Sequence, residues 1–263
     1  MRIKIAFIVL ITLLSANFFS PITVQAQQTQ NQSYEDYLFN YSRYQTELNK
    51  LETAKASYKK DSSLQNLTNL LESTRTVYLT IGDTMIAYNY FLSSEIVNSK
   101  VIPAQTLEYF NKTLQETNQW YIDQKSVINS DQNDLIKMQA TIDTYNKNHD
   151  AILKKINQLK LITNSARIAN FQEEARTLLA KLFTYINSNV STPDPRQEIW
   201  KNQIIERVDS TNQLIQKNFE LIPLVGNPSS GTQANTKITN NSKTAIENIR
   251  KTASYLNEIN NSL

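Results

Sequence analysis

The stretch SYEDYLFNYSRYQTELNKLETAKASYKK, from Ser33 to Lys60, decides the fold class. Its large side chains recur at alternating intervals of three and four residues. This stripe contains Tyr34, Tyr37, Tyr41, Tyr44, Leu48, Leu51, Lys55 and Tyr58. Such spacing is the period of an α-helix packed against partner helices. We therefore predict a helix over 34–60, with Ser33 as its N-cap.

The same spacing returns in every later segment of the 263-residue chain. It predicts further helices over about 63–98, from Pro103, over 131–189, from Pro195 and over 238–263. The chain contains only 3 glycines and 6 prolines, and 40% of its residues are hydrophobic. Few helix breakers favour long helices over sheets, which need frequent turns. The predicted fold class is all-α, an elongated antiparallel bundle of five to six helices plus an N-terminal signal helix.

Turn signals separate the predicted helices. Ser62 and Gln65 have the spacing of a capping box, in which two side chains satisfy backbone N–H groups reciprocally. Asp194 is the expected N-cap of the fifth helix and Pro195 its first residue. The segment 223–237 contains two of the glycines and predicts a flexible loop. Gly82 lies inside the second helix, where it favours close approach of another helix, with a hinge as the alternative.

The fourth helix is predicted to be unusually long. Neither Pro nor Gly occurs between Asp131 and Asn189. The simplest interpretation is one helix of about 60 residues, on the order of 85 Å long. The hydrophobic pattern slips in phase near Thr163–Ala166, and a break at Asn164–Ser165 is the alternative. We predict two helical bundles that share this helix, over 27–165 and 166–263.

The first 26 residues have the pattern of a secretory signal peptide. Arg2 and Lys4 precede the hydrophobic segment Ile5–Leu14, and Val24 and Ala26 are small residues before a cleavage site at Gln27. The alternative is an uncleaved anchor, although the apolar segment is shorter than the roughly 20 residues of a membrane span. The expected location is therefore secreted or cell-surface, with any membrane contact made through this segment alone.

The charge of the chain argues against nucleic-acid binding. The formal net charge is +3, and Arg2 and Lys4 lie in the predicted signal peptide, so the mature chain is nearly neutral. The densest basic group is Lys154, Lys155 and Lys160, which fits a solvated helix face. With no cysteine in the chain, disulfides cannot stabilise it outside the cytoplasm.

Neither a catalytic site nor a metal or cofactor site is predicted. The single histidine, His149, falls on the seam of the fourth helix, where a polar residue fixes helix register. A di-metal bundle would need a second Glu-x-x-His, and residue 146 is Asn. The carboxylates of Glu173 and Glu174 point apart on one helix, and those of Asp131 and Asp134 fit solvated surface. We expect a protein that is not an enzyme.

The tyrosines provide the candidate interaction surface, which comprises Tyr34, Tyr37, Tyr41 and Tyr44. Their rings can pack while their hydroxyls form hydrogen bonds. One interpretation is an aromatic platform for a glycan, a peptide or a partner helix. The other is a half-buried seam near the rim of the bundle.

The run from Ser33 to Leu92 resembles uncharacterised secreted helical proteins of candidate-phyla bacteria with reduced genomes. The matching residues are Tyr34–Asn40, Tyr44, Ala54–Lys55, Tyr58, Arg75 and Val77–Leu79. The resemblance covers about a quarter of the chain and departs from the family pattern at the turn after Asp61. It implies an extracytoplasmic helical protein and no particular reaction.

Together these observations predict a non-enzymatic structural or interaction protein at the cell envelope, with a protein partner or self-association. One alternative is a bundle that binds a small ligand near Gly82 or the tyrosines. The other is an envelope hydrolase that uses His149.

Overall fold

The computed structural model describes residues 24–130, 135–189 and 195–262, and these residues form helices and short turns without any strand. The six α-helices are α1 Val24–Lys60, α2 Leu64–Ile96, α3 Ala104–Ser130, α4 Leu135–Asn189, α5 Pro195–Leu221 and α6 Gly231–Ser262. A short 3-10 helix, Ile222–Gly226, lies between α5 and α6. The all-α prediction is confirmed.

Helix α1 begins earlier than predicted. It includes Val24 and the glutamine-rich segment before Ser33, so Ser33 lies inside the helix and the predicted N-cap is wrong. The physical reason is that no Gly or Pro interrupts 24–60. Of the predicted signal peptide, only Val24–Ala26 belong to the described residues, and the rest lies outside them.

The turn between α1 and α2 uses a different cap from the predicted one. Ser63 is the N-cap, and its Oγ accepts a hydrogen bond from the Asn66 backbone N–H at 3.4 Å. Ser62 instead donates to the Tyr58 carbonyl oxygen, so the capping box of Ser62 and Gln65 is wrong. Asn66 also donates from Nδ2 to the Asp61 carbonyl oxygen at 2.8 Å, which closes the turn.

Helix α4 runs without a break through Thr163–Ala166, so the predicted long helix is confirmed and the break at Asn164–Ser165 is wrong. Ile162, Thr163, Ser165 and Ala166 are all buried. Because two of these buried residues are polar, the helix face that packs in the core does not appear as a continuous apolar stripe in the sequence. Asp131 and Asp194, which were predicted at helix ends, lie outside the described residues.

The described chain divides into two compact units. The first combines Gln25–Val97 with Leu107–Lys160, and the second combines Asn98–Thr106 with Leu161–Leu263. The division within α4 therefore lies one to two turns before the boundary predicted at 165/166. The α2–α3 connection belongs to the second unit, where Ser99 donates to Asn170 Oδ1 at 3.0 Å.

Neighbouring helices in the first unit are antiparallel, because contacts between them run in opposite directions along the sequence. The α1–α2 contacts Tyr37–Tyr88 and Arg43–Asp83 show this order. The α3–α4 hydrogen bonds Tyr109–Gln158 and Tyr121–His149 show it as well. The core between the helices includes Tyr121, Ile128, Tyr145, Ile152 and Ile156.

The second unit packs α5 against α6 and the second part of α4. Its apolar core comprises Leu179, Ile186, Ile204, Val208, Leu256 and Ile259. Buried polar side chains link the helices: Asn218 Nδ2 donates to Ser242 Oγ at 3.1 Å, and Gln172 Nε2 donates to the Val208 carbonyl oxygen at 3.2 Å. Such specific bonds fix the register of helices whose apolar contacts tolerate sliding.

The connection between α5 and α6 is ordered, and the flexible loop predicted over 223–237 is wrong. Asn227 Oδ1 accepts hydrogen bonds from the Ser229 backbone N–H and from Ser229 Oγ, which forms an Asx turn. The Gly231 N–H donates to the Asn227 carbonyl oxygen at 2.8 Å and opens α6. A Cβ at Gly231 would collide with the Val225 carbonyl oxygen, so glycine permits this tight return.

None of the helices in the described part of the chain is both long and apolar enough to cross a membrane.

Candidate functional site

The four predicted tyrosines form a continuous row along α1. Successive ring centroids lie 6.5 Å apart from Tyr34 to Tyr37, 6.1 Å from Tyr37 to Tyr41 and 6.3 Å from Tyr41 to Tyr44. Tyr34 and Tyr41 are 46% and 44% exposed, whereas Tyr37 and Tyr44 are half-buried. The row therefore alternates between rings turned to solvent and rings turned to the bundle.

The buried side of the row packs on α2. The Tyr37 ring lies 5.2 Å from that of Tyr88 and is stacked on Phe91 at 6.4 Å. Tyr34 also contacts Phe91, with ring centroids 5.3 Å apart. Burial, and secondly the neighbouring Tyr41, raise the pKa of Tyr37, so its hydroxyl stays protonated and can donate a hydrogen bond. Tyr37 thus packs in the seam between α1 and α2, whereas Tyr34 and Tyr41 are exposed, and the binding role of the row stays a prediction.

Two apolar residues of α1 that were not among the predicted site residues are also exposed. Leu38 is 43% exposed and Phe39 is 70% exposed. Leu38 follows Tyr34 by four residues and precedes Tyr41 by three, so the three side chains are neighbours on one helix face. We refer to Tyr34, Leu38 and Tyr41 as the α1 aromatic face, whereas Phe39 lies about 100° further round the helix than Leu38. The missed signal was the presence of apolar residues off the predicted seam, where a solvated helix carries polar ones.

Polar contacts hold α1 on α2 beside this face. Arg43 pairs with Asp83 at 3.4 Å, and Asp83 also pairs with Lys125 of α3. Thr84 Oγ1 donates to the Asn40 carbonyl oxygen at 3.1 Å. These bonds fix the register of the hairpin and hence the position of the α1 aromatic face.

Helix α3 approaches α2 closely at Gly82, as we predicted from the sequence. A Cβ at this buried position would lie 3.0 Å from both Cγ and Cδ of Lys125, whose side chain crosses it on the way to Asp83. The stem of Lys125 therefore fills the place beside Gly82 that the ligand-binding alternative would require. The recess found in the second unit is also small, about 20 Å³, and is lined by Leu178, Leu182 and Ile249 among others. That volume suits about one water molecule.

His149 lies in a cluster of aromatic rings between α3 and α4. Its Nε2 is 2.9 Å from the Tyr121 hydroxyl. The imidazole is stacked on Trp120 at 5.9 Å, with an interplanar angle of 11°, and lies 5.0 Å from Tyr145. Burial lowers the pKa of His149, against a smaller opposing effect of Asp150. The histidine is therefore held neutral by its surroundings.

The polar groups next to this cluster include an amide and a tyrosine hydroxyl. Asn146, one turn from His149, accepts a hydrogen bond from the Tyr78 hydroxyl at 3.3 Å. In the described part of the chain no three His, Cys, Asp or Glu side chains are grouped so that they could hold a metal ion. Glu173 lies on exposed surface beside Arg176 at 3.7 Å, whereas Asp131 and Asp134 lie outside the described residues.

A buried amide pair supports the same unit. Asn89 is fully buried and donates from Nδ2 to Asn118 Oδ1 at 2.7 Å and to Thr117 Oγ1 at 3.1 Å. The pair joins α2 to α3 and adds directional bonds to the seam that the Asp83–Lys125 ion pair also spans.

Comparisons with known proteins add no family to this description. The chain matches no protein-family model, no curated protein and no solved structure. The resemblance over Ser33–Leu92 therefore stays a prediction.

Proposed function

We propose that this protein is a non-enzymatic interaction protein of the cell envelope that binds a partner protein through the α1 aromatic face. The observation that carries the proposal is the exposure of Tyr34, Leu38 and Tyr41 next to one another on a single helix. Contiguous exposed apolar side chains are typical of protein contact sites. Tyrosines are frequent among residues that dominate binding energy.

The rigidity of the face supports this proposal. Tyr34 is braced by Phe91, and the next half-buried ring of the row, Tyr37, is stacked on the same side chain. A side chain that is already ordered loses less conformational entropy on binding than a free one. The Thr84–Asn40 hydrogen bond and the Arg43–Asp83 pair order the backbone beneath.

The charge beside the face indicates the chemistry of the partner. Glu35 and Asp36 are exposed within the same two turns of α1. A complementary surface would carry an apolar centre for the rings and basic side chains at its rim. The tyrosine hydroxyls of Tyr34 and Tyr41 would supply hydrogen bonds at the edge of the contact.

The location at the envelope rests on the sequence pattern of the first 26 residues. Fractionation of cells that produce the full-length, C-terminally tagged protein tests it, together with sequencing of the mature N-terminus. We expect extracytoplasmic protein that begins at Gln27. A protein confined to the cytoplasm with Met1 or Arg2 at its N-terminus would refute the location.

Binding is tested by in-cell crosslinking of the full-length protein, with mass spectrometry of the captured chains. The variant Tyr34→Ser, Leu38→Ser, Tyr41→Ser should lose a specific crosslink of the wild type, because it removes the apolar contact. A matched control is Leu64→Ser with Ile136→Ser, which removes two other exposed apolar side chains, 78% and 81% exposed. The control should retain the crosslink. Equal capture by both variants would show that the α1 aromatic face is not the binding surface.

A further inference from the structure

We propose that the hydrogen bond between Tyr121 and His149 is an acid-operated latch between α3 and α4. At neutral pH the latch is closed and the two helices are joined through the aromatic cluster. Uptake of one proton by His149 opens it and loosens the first unit. This proposal concerns regulation and is independent of the α1 aromatic face.

The position of His149 suits a proton-operated contact. The ring is half-buried, so a proton can reach it from water without unfolding of the bundle. Its inner surroundings are the rings of Trp120, Tyr121 and Tyr145, all with centroids within 6 Å. A charge placed there is removed from much of its hydration, and the attraction of a cation to the aromatic faces offsets this only in part.

The proton balance of the hydrogen bond explains the opening. The Tyr121 hydroxyl and Nε2 of neutral His149 lie 2.9 Å apart. We assign Nε2 as the acceptor, because a fully buried hydroxyl requires an acceptor for its hydrogen. The imidazolium carries hydrogen on both ring nitrogens, so Nε2 can then only donate. The Tyr121 hydroxyl must accept that bond and turn its own hydrogen elsewhere. Tyr121 is fully buried, and among the described residues its hydroxyl has no other hydrogen-bond partner.

Among the titratable groups near His149, the imidazole is the one that we expect to change its protonation in mild acid. From α3 it faces Tyr121, and from its own helix it faces Tyr145 and Asp150. Tyr78 of α2 and Tyr44 of α1 interact with Tyr145. Burial raises the pKa of Tyr121 and of Tyr145, so both hydroxyls stay neutral in this range.

The direction of the pH effect follows from the burial of His149. Burial lowers its pKa in the folded chain, with Asp150 opposing this effect. A histidine that titrates lower in the folded than in the unfolded state takes up more protons on unfolding in mild acid. The contribution of neutral His149 to stability is therefore fully present above its pKa in the unfolded chain, about 6.5, and decreases as the pH falls below that value.

The first experiment uses the single histidine of the full-length protein. Its imidazole proton resonances can be followed by NMR between pH 8 and pH 4.5 without any substitution. We expect a titration midpoint below about 6.5, the value of an unperturbed histidine. A midpoint at or above that value would overturn the proposal, because the folded protein would then favour the proton.

The second experiment tests whether the hydrogen bond is the latch. The chain contains two tryptophans, so Trp200→Phe leaves Trp120, which is stacked on His149, as the sole tryptophan reporter. On acidification the imidazolium should quench its emission, and the thermal midpoint should decrease. The quenching should disappear in His149→Gln, which cannot take up the proton. Unchanged quenching in this variant would exclude His149 as the proton acceptor.

Tyr121→Phe supplies the matched control. It keeps the ring and removes the hydroxyl, so the imidazolium no longer leaves a buried hydrogen without an acceptor. We expect a lower thermal midpoint than the wild type at pH 7.5 and a smaller further decrease at pH 5. If Tyr121→Phe shows the full wild-type decrease between these pH values, the Tyr121–His149 hydrogen bond is not the latch.

Discussion

Asn89 of α2 donates a hydrogen bond of 2.7 Å to Oδ1 of Asn118 in α3, at a position that is fully buried. The same amide donates to Thr117, so one side chain satisfies two acceptors across a helix seam. An interior amide is costly unless it is paired, which makes this contact specific for one register of the two helices.

Substitution of Asn89 by alanine should therefore destabilise the first unit by about 2 kcal/mol, because it leaves a cavity and removes the donor to Asn118. Urea unfolding, followed by the fluorescence of Trp120 in a Trp200→Phe background, measures the change. Asn111→Ala, at an exposed position of α3, is the control and should change the free energy of unfolding by less than about 0.5 kcal/mol. Equal effects at the two positions would contradict a structural role for the buried amide.

The Gly82–Lys125 contact leads to a prediction about coupling. Alanine at position 82 gains about 1 kcal/mol of helix propensity. It also brings Cβ to 3.0 Å from the Lys125 stem and disturbs its pairing with Asp83. In the wild type we expect these effects nearly to cancel, whereas Gly82→Ala should stabilise a Lys125→Ala background by about 1 kcal/mol.

A double-mutant cycle of the four proteins measures this coupling by urea unfolding. A coupling of zero within about 0.3 kcal/mol would show that Lys125 does not fill the space beside Gly82.

The exposed pair of Glu116 and Lys155 should contribute a small, pH-dependent stabilisation. The two groups lie 2.6 Å apart, and the hydrogen bond from Lys155 lowers the pKa of Glu116. The pKa of Glu116 is lower in the folded than in the unfolded chain. The stabilisation is therefore present above about pH 4.3 and is lost as the pH falls through the pKa of the folded chain. Both side chains are more than 40% exposed, so we expect only about 0.2–1 kcal/mol.

Thermal unfolding of Glu116→Gln at pH 7 and pH 2.5 checks this prediction, with Glu108→Gln, an exposed residue of the same helix, as the control. The Glu116 variant should be less stable than the wild type at pH 7 and equal to it at pH 2.5. A difference that persists in acid would indicate an effect other than the ion pair.

The helices could be predicted from the sequence because their signals are local. The three-and-four spacing after Tyr34 and the absence of Gly and Pro over α4 specify helix without knowledge of any partner. Errors occurred where the signal depends on context. Ser33 is a good N-cap only if the helix begins there, and nothing in the preceding glutamine-rich segment prevents helix from forming. The segment around Asn227 was predicted to be flexible because it contains two glycines. The same residue type also suits an ordered tight turn, which is what the structure contains.

The candidate site was predictable only in part. The tyrosine row follows from spacing on one helix, but which rings face water depends on where α2 packs. Leu38 and Phe39 were missed because an exposed apolar side chain is recognised only once its surroundings are known. The Trp120–His149 stack joins residues of two helices, and a single sequence does not specify which seam faces which.

Gly231 provides the sharpest test of the α5–α6 turn. A Cβ there would collide with the Val225 backbone carbonyl, which cannot move aside as a flexible side chain can. Gly231→Ala should therefore destabilise the second unit by about 1–3 kcal/mol despite the better helix propensity of alanine. Thr232→Ala, at the next and exposed position, should change stability by less than about 0.5 kcal/mol. Urea unfolding followed by circular dichroism compares the two variants, and a Gly231→Ala protein as stable as wild type would show that the turn does not require glycine.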